Sequence, residues 1–167
     1  MARITDTRER LMQAVQELIW TGSYGSTTVD QICEKAGVQK GSFYHFFKSK
    51  ADLAEASLSA EWEKHREMLD HQFSAAVPPL KRLECHCEYT RKMQEDMKAR
   101  YGQVLGCPLF HLGAEVSTRE QGLRRKIEEI FDSLHKYLES AIRDAHAEGS
   151  INSPDAAAKA RALFAYY

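Results

Sequence analysis

Apolar residues in this chain recur every three or four positions almost from end to end, and alternation at every second residue is nearly absent. A chain patterned this way buries stripes along helices, so the expected class is all-α. Leu11, Ala14, Val15, Leu18 and Ile19 share one face and predict a helix over about Thr7–Thr21. Gly22-Ser23-Tyr24-Gly25-Ser26 then breaks it. Thr28 is placed to N-cap a short helix whose Val29, Ile32, Cys33 and Ala36 face inward, and Gly37 to stop it in the left-handed region. A three-residue break leads to a very short helix, Lys40–Phe46, with Phe43, Phe46 and Phe47 as its apolar side.

Longer elements follow. Ser49 caps a helix from Lys50 to about Phe73, with Asp52 in its first turn. Ala75-Ala76-Val77-Pro78-Pro79 interrupts, and a helix from about Leu80 to Tyr101 is expected to turn Leu83, Cys87, Met93 and Met97 inward. Residues 102–113 read as irregular. Ser117-Thr118-Arg119-Glu120 has the form of a capping box opening a helix to about Ala147, with Leu123, Ile127, Ile130, Phe131, Leu134, Leu138 and Ile142 on its apolar face. Gly149 ends that helix. Ser153-Pro154-Asp155 is the expected N-cap, N1 proline and acidic first-turn residue of a last one. That helix reaches the terminus uncapped through Ala162-Leu163-Phe164-Ala165-Tyr166-Tyr167, so either the natural chain is expected to continue or the ordered part to end early.

Composition narrows the class further. With 167 residues and 43% apolar content the chain can bury a core. No run approaches the roughly 20 apolar residues of a membrane span, and Met1–Arg10 is too polar for a signal peptide. A cytoplasmic protein with no membrane partner is expected, its four cysteines reduced. Net charge is −1, but residues 1–50 hold seven Lys/Arg against five acids, a local +2 against −3 for the remainder. Where those cations fall matters more than their sum.

An amphipathic helix followed by two short helices on a tight turn is the helix-turn-helix arrangement. Lys40, Gly41, Ser42, Tyr44 and His45 supply a cation, a backbone open to close approach, a hydroxyl, a phenol and an imidazole, groups suited to phosphates and base edges in a major groove. Lys50 begins the next helix, where free N–H groups and its own charge can hold a phosphate. The run Thr27-Thr28-Val29-x2-Ile32-x3-Ala36-Gly37-Val38-x2-Gly41-Ser42-Phe43-Tyr44-His45-Phe46-Phe47-Lys48-Ser49-Lys50-x2-Leu53 strongly resembles the TetR family signature, the likeness covering about Arg8 to Leu58.

The resemblance implies a three-helix DNA-binding domain over residues 1–48 and a helical-bundle domain for effector binding and dimerisation over 49–167, its C-terminus incomplete. It implies a repressor that holds double-stranded operator DNA as a homodimer and lets go when a small-molecule or electrophilic effector binds. Thr28 and Tyr44 are then phosphate contacts, Lys40, Ser42 and His45 face the groove, Gln39 and Gly41 are further contacts, and Lys50 anchors the fourth helix. Arg3, in an N-terminal arm, is a candidate for the adjacent minor groove. An effector that favours another tilt of the fourth helix would change the spacing of the two reading heads.

For the effector, Trp62, Tyr89, Met93, Met97, Phe110 and Phe131 suit an apolar pocket, although such spacings equally make ordinary core. Gly106-Cys107-x4-Leu112-x-Ala114-Glu115 resembles a segment in a branch of TetR-like regulators that sense electrophiles or oxidants through a cysteine, which makes Cys107 the candidate sensor. A regulator with an inert Cys107 and a non-covalent hydrophobic ligand is the alternative. Cys85-His86-Cys87 is not expected to bind metal, because residues two apart on a helix point about 200° from each other. Neither cofactor nor metal is expected. The sequence offers no phosphate loop, nucleophile elbow or His-Glu-x-x-His pattern, so an enzyme, or an adaptor bundle, is the weaker reading.

Overall fold

In a computed structural model the backbone is described for residues 2–116 and 120–166, and the side chains from residue 6 onward over the same stretches. Among the described residues the structure is all helical: α1 (Ala2–Thr21), α2 (Val29–Ala36), α3 (Lys40–Phe46), α4 (Lys50–Gln72), α5 (Pro79–Tyr101), α6 (Pro108–Val116), α7 (Gln121–Ala147) and α8 (Ala156–Phe164). None of these helices is long and apolar enough to cross a membrane. They form two compact units, one of Met1–Trp62 with Cys107–Glu128, the other of Glu63–Gly106 with Glu129–Tyr167. These packing units interleave along the chain, unlike a division after residue 48.

In the first unit α1 packs on α2, α3 and α6. Leu11, Val15 and Ile19 of α1, Ile32 of α2, Phe43 of α3 and Leu53 of α4 are buried together with Leu112 and Val116 of α6. The α2 helix is capped at both ends by its own sequence. The Thr28 hydroxyl accepts from the Gln31 N–H while the Gln31 side chain accepts from the Thr28 N–H, a reciprocal box. At the other end Gly37 sits at φ 63, ψ 40, and the N–H groups of Gly37 and Val38 return to the carbonyls of Glu34 and Cys33. Arg10 of α1 reaches across to donate to the carbonyls of Ala36 and Gly37, and a side chain at position 37 would collide with its guanidinium at 2.7 Å. The turn between α2 and α3 is thus fixed from both sides.

In the second unit the buried side chains of α7 and α8 (Leu138, Ile142, Ala156, Ala160) gather Phe73, Leu83, Ile151, Leu163 and Phe164 around them. Its polar fastening is Arg82, buried on α5, which donates to Asp144 of α7 and to the carbonyls of Val77 and Ala75.

Several sequence expectations are corrected. The first helix starts at Ala2 instead of Thr7. Residues 102–113 are not irregular throughout, because α6 occupies Pro108–Val116, opened by a proline that suits a first turn. On α5 the inward positions are Arg82 and His86 with Leu83, Met93 and Met97 half-buried, whereas Cys87 is exposed. The stripe follows 79, 82, 83, 86, 90, 93, and Cys87 lies about 100° off it. The last helix is capped by Asp155, whose carboxylate accepts from the Ala158 N–H, so Ser153 and Pro154 precede it. The expected capping box at Ser117–Arg119 and the side chain of Arg3 lie outside the described residues.

Burial beside Phe73, with His65 adding repulsion, pushes the His86 imidazole down to about 4. The unfolded chain takes up that proton near its ordinary 6.5 while the folded one resists. Stability is therefore complete above pH 6.5 and falls as pH drops toward 4, by on the order of 2–3 kcal/mol. Urea unfolding at pH 7.5 and 4.5 checks this: His86→Leu should flatten the difference, and an unchanged difference would assign the acid sensitivity to other groups.

Candidate nucleic-acid interface

The α3 helix has seven residues, too few to stand alone, and it is held by one deeply inserted side. Phe43 is fully buried and Phe47 nearly so, with ring centroids 6.2 Å apart. Anchoring that side turns the other outward. Tyr44 is 56% exposed, its ring set edge-on to Phe43 at 5.1 Å, and His45 is exposed against Phe46 at 4.9 Å. Gln39 is the N-cap residue and makes no side-chain capping bond, which leaves its exposed amide pointing to the surface. Ser42 is half-buried.

Lys40 stands at the first position of α3 and pairs with Asp30 of α2 at 2.7 Å. Both partners are mostly exposed, so the pair is readily exchanged for a phosphate, and its hydrogen bond with Asp30 raises the ammonium pKa and keeps it charged. Lys48, which sequence reasoning passed over, is a further exposed cation just past α3. The Thr28 hydroxyl is committed to Gln31, so a phosphate there would meet the N-terminal turn of α2 as a whole.

Lys50 requires a correction. Its ammonium turns inward, donating to the carbonyls of Tyr24 at 2.6 Å and Thr27 at 2.7 Å, and lies 4.2 Å above the Tyr24 ring. Burial lowers its pKa, opposed by Glu120 and Glu115. The unsatisfied carbonyls of the α1–α2 turn draw the ammonium in, so Lys50 braces that turn instead of presenting its charge to DNA. The opening of α4 is fixed by neighbours, the Asp52 N–H donating to the Ser49 hydroxyl and the Lys48 N–H to the Asp52 carboxylate.

Gly41 is informative because the fold does not need it. Its φ is not positive, and a methyl added there would meet nothing within 4 Å. Glycine in a helix is worse than alanine by about 0.5–1 kcal/mol. Gly41→Ala should therefore raise the urea midpoint while weakening DNA binding, the two effects having opposite sign. An alanine variant that binds DNA as tightly as the parent would show that no close approach occurs at this position.

The family model for bacterial regulatory proteins of the tetR family matches residues 11–57, and that for the tetracyclin repressor-like C-terminal domain matches residues 79–167, more than half of the chain. The chain belongs to the TetR family. It is 33% identical over 156 residues to the transcriptional regulator AcuR of Cereibacter sphaeroides, covering 91% of this chain and 69% of that one. The crystal structure of regulatory protein TetR from Rhodobacter sphaeroides aligns with a TM-score of 0.79 at 32% identity, over 93% of this chain and 82% of the other. The reduced form of NemR, a transcriptional repressor of Escherichia coli, aligns with a TM-score of 0.82 at 24% identity over 96% and 82%, a likeness of fold. This TetR-family protein is a DNA-binding transcriptional regulator and not an enzyme, and its repressor relatives support a repressor role.

The effector candidates are divided between the two units. Trp62 is buried in the first unit, where Phe110 is exposed. In the second, Tyr89 is 39% exposed with its ring 5.6 Å from His65, and Met93, Met97 and Phe131 are half-buried, Phe131 packing edge-on to Phe164. Cys107 is half-buried at the head of α6, its carbonyl accepting from the His111 N–H. Burial raises the thiol pKa, and the N–H groups of Phe110 and Leu109 pull only partly the other way. Cys85 and Cys87 both lie within α5 and point apart, and among the described residues no cluster of His, Cys, Asp or Glu has the geometry to hold a metal.

Proposed function

We propose that this regulator represses transcription by seating two copies of α3 in successive major grooves of an operator, as a homodimer, and that a small apolar ligand releases it. Residues 1–48 are assigned to DNA and 49–167 to the ligand and the partner copy. The observation that carries the reading is the split character of α3: Phe43 locks one side into the core while Gln39, Lys40, Gly41, Tyr44 and His45 stand outside. A dimer built for this places its two reading helices about 34–36 Å apart, one turn of DNA. The ligand acts only through its differential affinity for the bound and released conformations, typically about 1–3 kcal/mol.

Resting geometry favours the non-covalent ligand over an electrophile captured at Cys107. A nucleophilic cysteine needs its thiolate, and burial here keeps the proton on sulfur. Cys107→Ser is expected to release DNA with apolar ligand as the parent does. A parent that is released by electrophiles, with a Cys107→Ser variant that no longer responds to them, would restore the sensing role.

The test of the DNA reading is to select duplexes from random-sequence DNA with the purified chain and titrate the selected duplex against salt. A dimer neutralising about six phosphates loses on the order of a thousandfold in affinity between 50 and 200 mM salt. A flat salt response, or no selected duplex, sinks the proposal.

A further inference from the structure

The turn from Gly22 to Thr27, between α1 and α2, is held by side chains that come from far along the chain. Both oxygens of Glu115, on the last turn of α6, accept from consecutive backbone N–H groups, Tyr24 at 3.1 Å and Gly25 at 2.8 Å. Two successive N–H groups converging on one carboxylate form an anion nest. His111, one turn earlier on α6, places Nε2 3.0 Å from the Gly22 carbonyl and 3.3 Å from Glu115, and two acceptors on one nitrogen put the ring proton there. Lys50 in turn takes the carbonyls of Tyr24 and Thr27. An anion therefore grips the donors of this turn and a cation its acceptors.

Gly25 supports the same conclusion independently. Its φ is not positive, so the backbone does not demand glycine, yet a Cβ there would stand 3.3 Å from the Glu115 carboxylate. The missing side chain makes room for the carboxylate. The Glu115 carboxyl, although penalised by burial, is kept below the usual carboxylate range by the N–H groups of Gly25 and Tyr24, the Ser23 hydroxyl and His111.

We propose that Glu115 is a positioning residue for DNA recognition: from the end of α6 it sets the α1–α2 turn, and through that turn the pose in which α2 and α3 meet the duplex. The proposal rests on the DNA-binding reading above. Thr28, the cap of α2, follows the turn directly, and the Schellman turn at Gly37 passes the pose of α2 to α3. The same short helix carries Cys107 at its head and Glu115 at its tail, eight residues or about 12 Å apart. A displacement of α6 reaches the reading head through backbone hydrogen bonds within this unit, without passing along α4.

The sign of the mutational effect separates this role from simple electrostatics. Removing a negative charge from a DNA-binding unit strengthens non-specific attraction to phosphates. Positioning predicts the reverse for specific binding. Glu115→Gln in the full chain should bind the duplex selected by the wild-type protein about tenfold more weakly, while binding an unrelated duplex as well as the parent or better. Amide exchange at Tyr24 and Gly25 should accelerate. Gly25→Ala keeps the charge, crowds the carboxylate, and should lower specific affinity in the same direction. The nest is at the surface, so neither change leaves a cavity. Wild-type affinity for the selected duplex in both variants overturns the proposal. A wild-type chain that selects no duplex overturns the reading beneath it as well.

Discussion

Phe43→Ala is expected to cost about 3–5 kcal/mol of stability and abolish specific DNA binding, while its neighbour Tyr44→Ala abolishes binding at almost unchanged stability. The two aromatic rings touch edge-on, yet one is fully buried and the other 56% exposed. Phe43 sits in a unit whose Leu11, Ile32 and Leu53 are also fully buried, on α1, α2 and α4, which limits how far the void left by its removal can collapse. It also deprives a seven-residue helix of its main anchor. Removing Tyr44 takes away a ring tip that faces water, so the urea midpoint should hardly move. Paired urea melts and affinities for the selected duplex check both halves. Equal destabilisation by the two variants would mean that α3 does not present one side to solvent.

The second large effect belongs to the other unit. Asp144→Ala should lower stability by about 3–4 kcal/mol, and Arg82→Met by about 1–2 kcal/mol, although both delete the same ion pair. The asymmetry comes from exposure: the Arg82 side chain is 5% exposed and that of Asp144 44%. Without Asp144 a guanidinium is left inside with, among the described residues, the carbonyls of Val77 and Ala75 as its acceptors. Without Arg82 the carboxylate rehydrates, and methionine fills most of the vacated volume. Chemical denaturation of the two single variants and the double variant measures the coupling. Equal costs for the two single changes would contradict a buried guanidinium.

Legibility differed sharply between the two ends of the chain. Around α2 and α3 every signal is local: Thr28 caps through a residue three positions on, Gly37 adopts φ 63 because only glycine enters that region freely, and a two-sided pattern anchors α3 on Phe43. Those boundaries follow from residues a few positions apart, and the signature that marks the family lies in the same stretch. On α5 local reasoning misassigned Cys87 and passed over Arg82 and His86, because a charged residue is buried only when a partner is brought to it, and Asp144 is 62 residues away. The helix at Pro108–Val116 was hidden for a related reason: a nine-residue helix is marginal by itself and is held here by burying Leu112 and Val116 against the first unit's core.

The sequence alone, then, determined the all-helical class, the helix-turn-helix and an outward set of Gln39, Lys40, Gly41, Tyr44 and His45, although Ser42, read with them as facing the groove, is half-buried; capping, periodicity and backbone preference act over a few residues. Tertiary structure decided what the charged side chains do. It turned Lys50 inward to a carbonyl pair, sent Arg10 to the α2–α3 turn and brought Glu115 to two N–H groups about ninety residues away. Hydrogen bonds to backbone groups distant in sequence leave no periodic trace, because each depends on where folding carries a donor and an acceptor, and not on their spacing along the chain.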